Sequence, residues 1–213
     1  MKVFIVNSSP AYVAMYVNEG WSVVNELVKA DLVQFTGGAD VSPYLYDELP
    51  HSTTSSDAYR DEQERSIYFA CLEAGISMAG ICRGGQFLNV MNGGKLWQDV
   101  DNHAHLVGHE VYDLWTHQVV PCSSTHHQMI RPAEEGVVIA VAHNLATYKE
   151  RVIPDGVLRY TVPKKEEEED VEVVYYPGTD CLCFQPHPEM NEWDGCRELY
   201  FDYIHSYIFN GEE

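Results

Sequence analysis

The segment best equipped for chemistry is Met78-Ala79-Gly80-Ile81-Cys82-Arg83-Gly84-Gly85-Gln86, an apolar run that reaches a cysteine flanked by glycines. Gly80 and Gly84 permit a tight strand-to-helix turn with close backbone approach, the geometry of a nucleophile elbow with sulfur as the reacting atom. A helix beginning at Arg83 would aim its N-terminal amides and dipole at that sulfur and favour the thiolate. Read alone, the segment also suits a buried structural cysteine with packing glycines.

A thiol nucleophile needs a base, and the base an orienting partner. Among ten histidines, only His187 in Phe184-Gln185-Pro186-His187-Pro188-Glu189 combines a strand end, rigid flanks and a nearby carboxylate. The prolines restrict the backbone, so His187 could face Cys82 while Glu189 selects its tautomer. Read alone, it could equally be a structural turn.

These residues need elements to hold them. Short apolar runs at Lys2 to Val6, Asp31 to Phe35, Ile76 to Ile81, Val137 to Ala142 and Cys181 to Gln185 predict buried strands. Helices are expected from Asp57 to Gly75, with the glycine as C-terminal cap, and from Arg83 to Asn92. A third, amphipathic helix is expected from Asn191 onward, with Asn191 as N-cap and Trp193, Cys196, Leu199, Tyr200, Tyr203, Ile204, Tyr207 and Ile208 on its apolar face. Strands alternating with helices predict a layered α/β domain with a largely parallel sheet and a site at the strands' carboxyl ends. The length of 213 residues suits one domain over 1–213.

The net charge of −20 disfavours nucleic-acid binding. No window is apolar enough for a membrane helix, and the N-terminus lacks the pattern of a secretory signal, so a cytoplasmic location is expected. The six cysteines then read as free thiols, with Cys181 and Cys183 on one sheet face as small hydrophobes. The carboxylate run Glu166 to Asp170, after Lys164 and Lys165, predicts a solvated loop. His103, His105, His109 and His117, with Asp99 and Asp101, lack a recognised ligand spacing, so no metal and no cofactor is expected.

The elbow, followed by Leu88-Asn89-Val90 and Gly93-Gly94, resembles the class I glutamine amidotransferases, particularly the gamma-glutamyl-gamma-aminobutyrate hydrolase-like branch. Thr36-Gly37-Gly38-Ala39-Asp40-Val41-Ser42-Pro43 with Tyr46, then Arg60-Asp61 and Glu64, and Ser124-Thr125-His126-His127-Gln128 are similar to further segments of that branch. The resemblance implies a flavodoxin-like three-layer domain. It also implies hydrolysis of a gamma-glutamyl amide through a thioester, with Cys82, His187 and Glu189 as the triad and no cofactor. Backbone amides of Gly38 and Arg83 would form the oxyanion hole, and Gln86, Ser124, His126 and His127 would border the glutamyl group. Gly85 departs from the branch by replacing a bulkier apolar residue, which is expected to loosen the pocket. Asn144 to Pro154 does not match the acidic cluster usual there, which leaves the amine half of the substrate open. The implied partner is a small-molecule gamma-glutamyl substrate, and a homodimer is compatible. The alternatives are a glutaminase subunit feeding ammonia to a synthetase partner and a catalytically silent scaffold of the same fold.

Overall fold

The computed structural model describes residues 1–143, 145, 147–161, 169–190, 192 and 194–209. The strands are β1 (Lys2–Ile5), β2 (Ser22–Val23), β3 (Leu32–Phe35), β4 (Ser77–Ile81), β5 (Lys95–Trp97), β6 (Asp99–Val100) and β7 (Ala104–Asp113). They continue with β8 (Val119–Thr125), β9 (Met129–Arg131), β10 (Val137–Ala142), β11 (Lys149–Val152), β12 (Leu158–Thr161), β13 (Val171–Tyr176) and β14 (Cys181–Phe184). The helices are α1 (Pro10–Asn18), α2 (Ala58–Ala74), α3 (Arg83–Met91) and α4 (Asp194–Tyr203), the last widening into a π turn over Ile204–Ile208. The five strands read from apolar runs lie within a residue of their expected bounds. The expected cap Asn191 and Trp193 lie outside the described residues.

A nine-stranded sheet, ordered β2-β1-β3-β4-β14-β13-β10-β7-β8, forms the centre. It is parallel from β2 to β14. From β14 to β8 the pairings are antiparallel. Strand alternation sends successive side chains to opposite faces. Leu182 and Phe184 therefore join Tyr12, Met15 and Tyr16 of α1 and Leu199 and Tyr200 of α4 on one face. Cys181 and Cys183 join Tyr68 and Cys71 of α2 and Phe87 and Leu88 of α3 on the other. This is the flavodoxin-like three-layer α/β fold, and all six cysteines are free and buried.

Local chemistry sets the helix ends. The Asp57 carboxylate accepts from the amides of Tyr59 and Arg60, both at 3.1 Å, a cap that stabilises α2 by about 1 kcal/mol. Gly75 closes α2 with φ +64°, a left-handed conformation costly for a side chain. No helix among the described residues is long and apolar enough to cross a membrane.

The acidic run departs from expectation at its end. Glu169 is exposed, but Asp170 is buried, with Lys149 Nζ at 2.7 Å and His103 Nε2 at 3.2 Å. A charge followed by hydrophobic β13 is carried inside with the strand and is tolerated because cationic and hydrogen-bonding groups meet it. Residues 166–168 lie outside the described residues.

Candidate active site

β4 delivers Cys82 to the carboxyl edge of the parallel half. Cys82 holds φ +51° and ψ −115°, a conformation that costs on the order of 1–3 kcal/mol in a non-glycine residue and persists only when its surroundings over-determine it. Those surroundings are visible. A Cβ on Gly80 would collide with the Gly84 carbonyl, and one on Gly84 would collide with the Phe35 carbonyl. Only glycines let the turn close this tightly against β3. Gly85 is equally constrained, since its Cβ would sit 2.9 Å from the amide nitrogen of Phe184. The missing side chain lets α3 approach β14.

β14 pairs in parallel with β4, Phe184 opposite Ile81, and the Cys82 amide donates to the Phe184 carbonyl at 2.8 Å. The chain leaving β14 thus runs beside the elbow and places His187 there. The His187 amide donates to Ser123 Oγ at 2.6 Å, which anchors this turn to β8. Its ring Nδ1 lies 2.7 Å from Glu189 Oε1. A carboxylate can only accept, so Nδ1 carries the hydrogen and Nε2 is left for the other side. Burial alone would lower the His187 pKa, but the adjacent, hydrogen-bonded Cys82 sulfur and the Glu189 carboxylate outweigh it and push it up to about 11.

The loop after β3 completes the site. A Cβ on Gly37 would come within 3.1 Å of His187 Cε1, 3.2 Å of Tyr12 Oη and 3.7 Å of Cys82 Cβ, so a glycine lets this loop pack closely against the imidazole and the elbow. The Gly37 amide donates to Tyr12 Oη at 2.9 Å. Burial, then the Glu189 charge, raise the Tyr12 pKa far above its ordinary value, which keeps the hydroxyl protonated and able to donate to Glu189. Arg60 clamps the loop through the Gly37 carbonyl at 3.0 Å and the Thr36 carbonyl at 2.8 Å. Gly38 holds φ +148°, and a Cβ there would strike Arg60 Nη1.

The Arg83 amide occupies the first position of α3, where no intrahelical acceptor exists. Its guanidinium turns inward, ion-paired to both Asp61 and Glu64, whose side chains are fully buried. Tyr12 and this carboxylate frame had no catalytic signal in the sequence; Tyr12 reaches the site because the β1 to α1 turn crosses the edge where β3 ends.

The four expected substrate residues have diverse surroundings. Gln86 is buried and donates to the Gln128 carbonyl at 3.0 Å and to Gln185 Oε1 at 3.1 Å. Ser124 Oγ donates to the His103 carbonyl; its neighbour Ser123 is the serine that holds His187. His126 is buried, with Nδ1 2.9 Å from the Gln128 carbonyl and Nε2 3.7 Å from Glu172. His127, 36% exposed, lies 3.0 Å from Asp40 and 3.4 Å from Asp99, and the hydrogen bond to Asp40 raises its pKa. Of the histidines weighed together as ligands, His103 and His109 meet, whereas His117 pairs with the Tyr112 hydroxyl at 2.6 Å. The His105 side chain lies outside the described residues.

A strand-end cysteine beside a histidine and carboxylate, on a flavodoxin-like sheet, is the arrangement of a class I glutamine amidotransferase-like protein. Residues 4–189 match the Peptidase C26 family, and the chain belongs to it. It is 36% identical over 141 residues to the glutamine amidotransferase-like protein YvdE of Lactococcus lactis, covering 57% of this chain. The match spans only 59% of that relative's length. Among solved structures, PurLQS from Thermotoga maritima superposes with a TM-score of 0.62 at 15% identity, over 95% of this chain and 98% of that one. A structure from Thermoplasma acidophilum, described as a subunit of GMP synthase, gives 0.59 at 13% identity, over 96% and 92%. At these identities the structural likeness speaks to the fold alone.

Proposed function

We propose that this chain hydrolyses a gamma-glutamyl amide by way of a glutamyl thioester on Cys82. The observation that carries the reading is the His187 ring, paired with Glu189 at 2.7 Å, standing on the same side of Gly37 as the strained elbow cysteine. In the first half-reaction Cys82 Sγ attacks the amide carbon. The developing oxyanion is met by the amides of Gly38 and Arg83, a contribution of about 3–4 kcal/mol per donor in measured systems. His187 then gives its proton to the departing amine as the C–N bond breaks. In the second, water enters the vacated place, His187 removes its proton, and the C–S bond breaks to release the acid and restore the thiolate–imidazolium pair. Glu189 holds the Nδ1 hydrogen throughout and stabilises the charged ring. Of the residues that the resemblance puts at the glutamyl group, His127 has the exposure to meet a ligand. Gln86, Ser124 and His126 would act behind it by holding the loop.

The deciding experiment is a panel of gamma-glutamyl amides, glutamine included, with mass detection of the freed amine, alongside labelling by a glutamine-like diazo-ketone. Release of amine, lost in Cys82→Ala, and modification at Cys82 are expected. Absence of release, with label on a different cysteine, would overturn the reading. A second reading is a glutaminase subunit serving a synthetase, which would use the same three residues. In that case turnover would rise sharply only when a partner is added.

A further inference from the structure

Away from the elbow, three imidazoles and one carboxylate converge at a single point. His103 precedes β7, His109 lies on β7, His126 follows β8 and Glu172 lies on β13; their facing atoms all fall within 4.8 Å of one another. Glu172 Oε1 is 3.3 Å from His103 Nδ1, 3.2 Å from His109 Nε2 and 3.7 Å from His126 Nε2, and His103 Nδ1 is 3.2 Å from His109 Nε2. Four ligands around a tetrahedral zinc, at bonds of about 2.0–2.1 Å, are separated by edges of about 3.3–3.4 Å. The spacings of 3.2–3.3 Å among His103, His109 and Glu172 match such edges, and the 3.7 Å from Glu172 to His126 lies a little beyond them.

The outward-facing ring nitrogens fix the tautomers. His126 Nδ1 faces the Gln128 carbonyl at 2.9 Å and His109 Nδ1 the Glu110 carbonyl at 3.3 Å. His103 Nε2 faces the Asp170 carboxylate at 3.2 Å, itself held by Thr147 and Lys149. Each of these partners accepts a hydrogen, so each outer nitrogen can carry one and leave the inner nitrogen as the ligand atom. Outer oxygens that orient ligand histidines in this way are a recurrent feature of metal sites. The fully buried Glu172 carboxylate faces these inner nitrogens. Among the described residues His126 Nε2 and both Glu172 oxygens are buried without a well-aligned hydrogen-bond partner.

We propose that His103, His109, His126 and Glu172 form a structural zinc-class site. Four protein ligands close the shell, as in structural rather than catalytic sites, and nitrogen with carboxylate oxygen suits zinc among the available divalent ions. Sequence spacing did not show it, because His126 and Glu172 come from elements remote from the first two histidines. The site ties β7, the end of β8 and β13 together behind Ser123, the residue that anchors His187. It stands independently of the hydrolase reading.

The test is metal analysis of the untagged full chain purified without chelator, followed by cobalt(II) titration of chelator-stripped protein. One metal per chain is expected. Cobalt should saturate at one equivalent with the intense visible bands of four-coordination, and stripping should lower the melting temperature until zinc is restored. Glu172→Gln and His109→Gln should each weaken cobalt binding by at least about tenfold. Should either variant fail to fold, Thr147→Val, outside the ligand set, should fold and still bind one equivalent. Wild-type protein that takes up no stoichiometric cobalt, or shows only the weak bands of six-coordination, would overturn the proposal and leave the cluster held by protons. Binding undiminished in a folded Glu172→Gln variant would do the same.

Discussion

Arg83→Met removes the guanidinium beneath the elbow while retaining the backbone amide, so it tests the frame without deleting the proposed oxyanion donor. Arg83 contacts Asp61 Oδ1 and Glu64 Oε2, and both carboxylates are fully buried. Their fates differ once it is gone. Glu64 Oε1 retains Arg60 Nε at 2.7 Å and Asn7 Nδ2 at 2.9 Å, whereas among the described residues Asp61 retains only the Ser42 amide as a hydrogen-bond donor, at 3.2 Å. Removing one partner of a buried pair costs about 3–5 kcal/mol, chiefly through the charge left behind. The stranded charge here is Asp61, so Asp61→Asn in the Arg83→Met background should recover most of the loss. Urea unfolding of the wild type, both single variants and the double would measure it, with a coupling energy of about 2–3 kcal/mol expected from the cycle. At about 2–4 °C per kcal/mol for a chain of this size, the single variant should melt on the order of 10 °C lower. A loss under about 1 kcal/mol, or no recovery in the double variant, would refute the reasoning that the frame is held by charge compensation.

Gly84→Ala should prevent the elbow from closing, because its Cβ would overlap the Phe35 carbonyl; insoluble protein, or a melting temperature lowered by many degrees, is the expected readout. Tyr12→Phe should lower stability by about 1–3 kcal/mol by orphaning the Gly37 amide. It should also reduce turnover, with the soluble fraction retained. The pH dependence of the His187 contribution follows from a folded pKa of about 11 against an ordinary 6.5. A raised folded value gives stability that is complete below the unfolded pKa and is lost as pH climbs through the folded one. The difference in urea midpoint between wild type and His187→Gln should therefore be largest near pH 6 and shrink steadily towards pH 11. A difference that grows with pH would contradict the pairing.

Much of the parallel half was legible because its signals are local. The apolar runs ending at Ile81 and Phe184 were long enough to place as strands, and the glycines around Cys82 declared a turn whose reason is steric. The antiparallel half was less legible. β7 and β8 carry mixed polar and apolar residues, and their pairing depends on partners far away in the chain. Asp170 was misplaced for the same reason: composition shows a charge run, but not that Lys149 and His103 await its last member. Tyr12 and Ser123 were invisible as site residues, since a tyrosine in an amphipathic helix and a serine in a strand have no distinctive spacing. Gln86, Ser124 and His126 were singled out by resemblance, but their buried partners required coordinates.

The seam between β4 and β14 has a consequence for how the chain can vary. The elbow and the histidine turn leave adjacent strands locked by one ladder of main-chain hydrogen bonds, and everything between the end of α3 and the start of β14 loops outward from that join. Insertions or trimming in the connections of that excursion would keep the spacing of the reacting pair as long as Ser123 and β13 stay in place. Drawing that pair apart, by contrast, requires tearing the middle of the sheet.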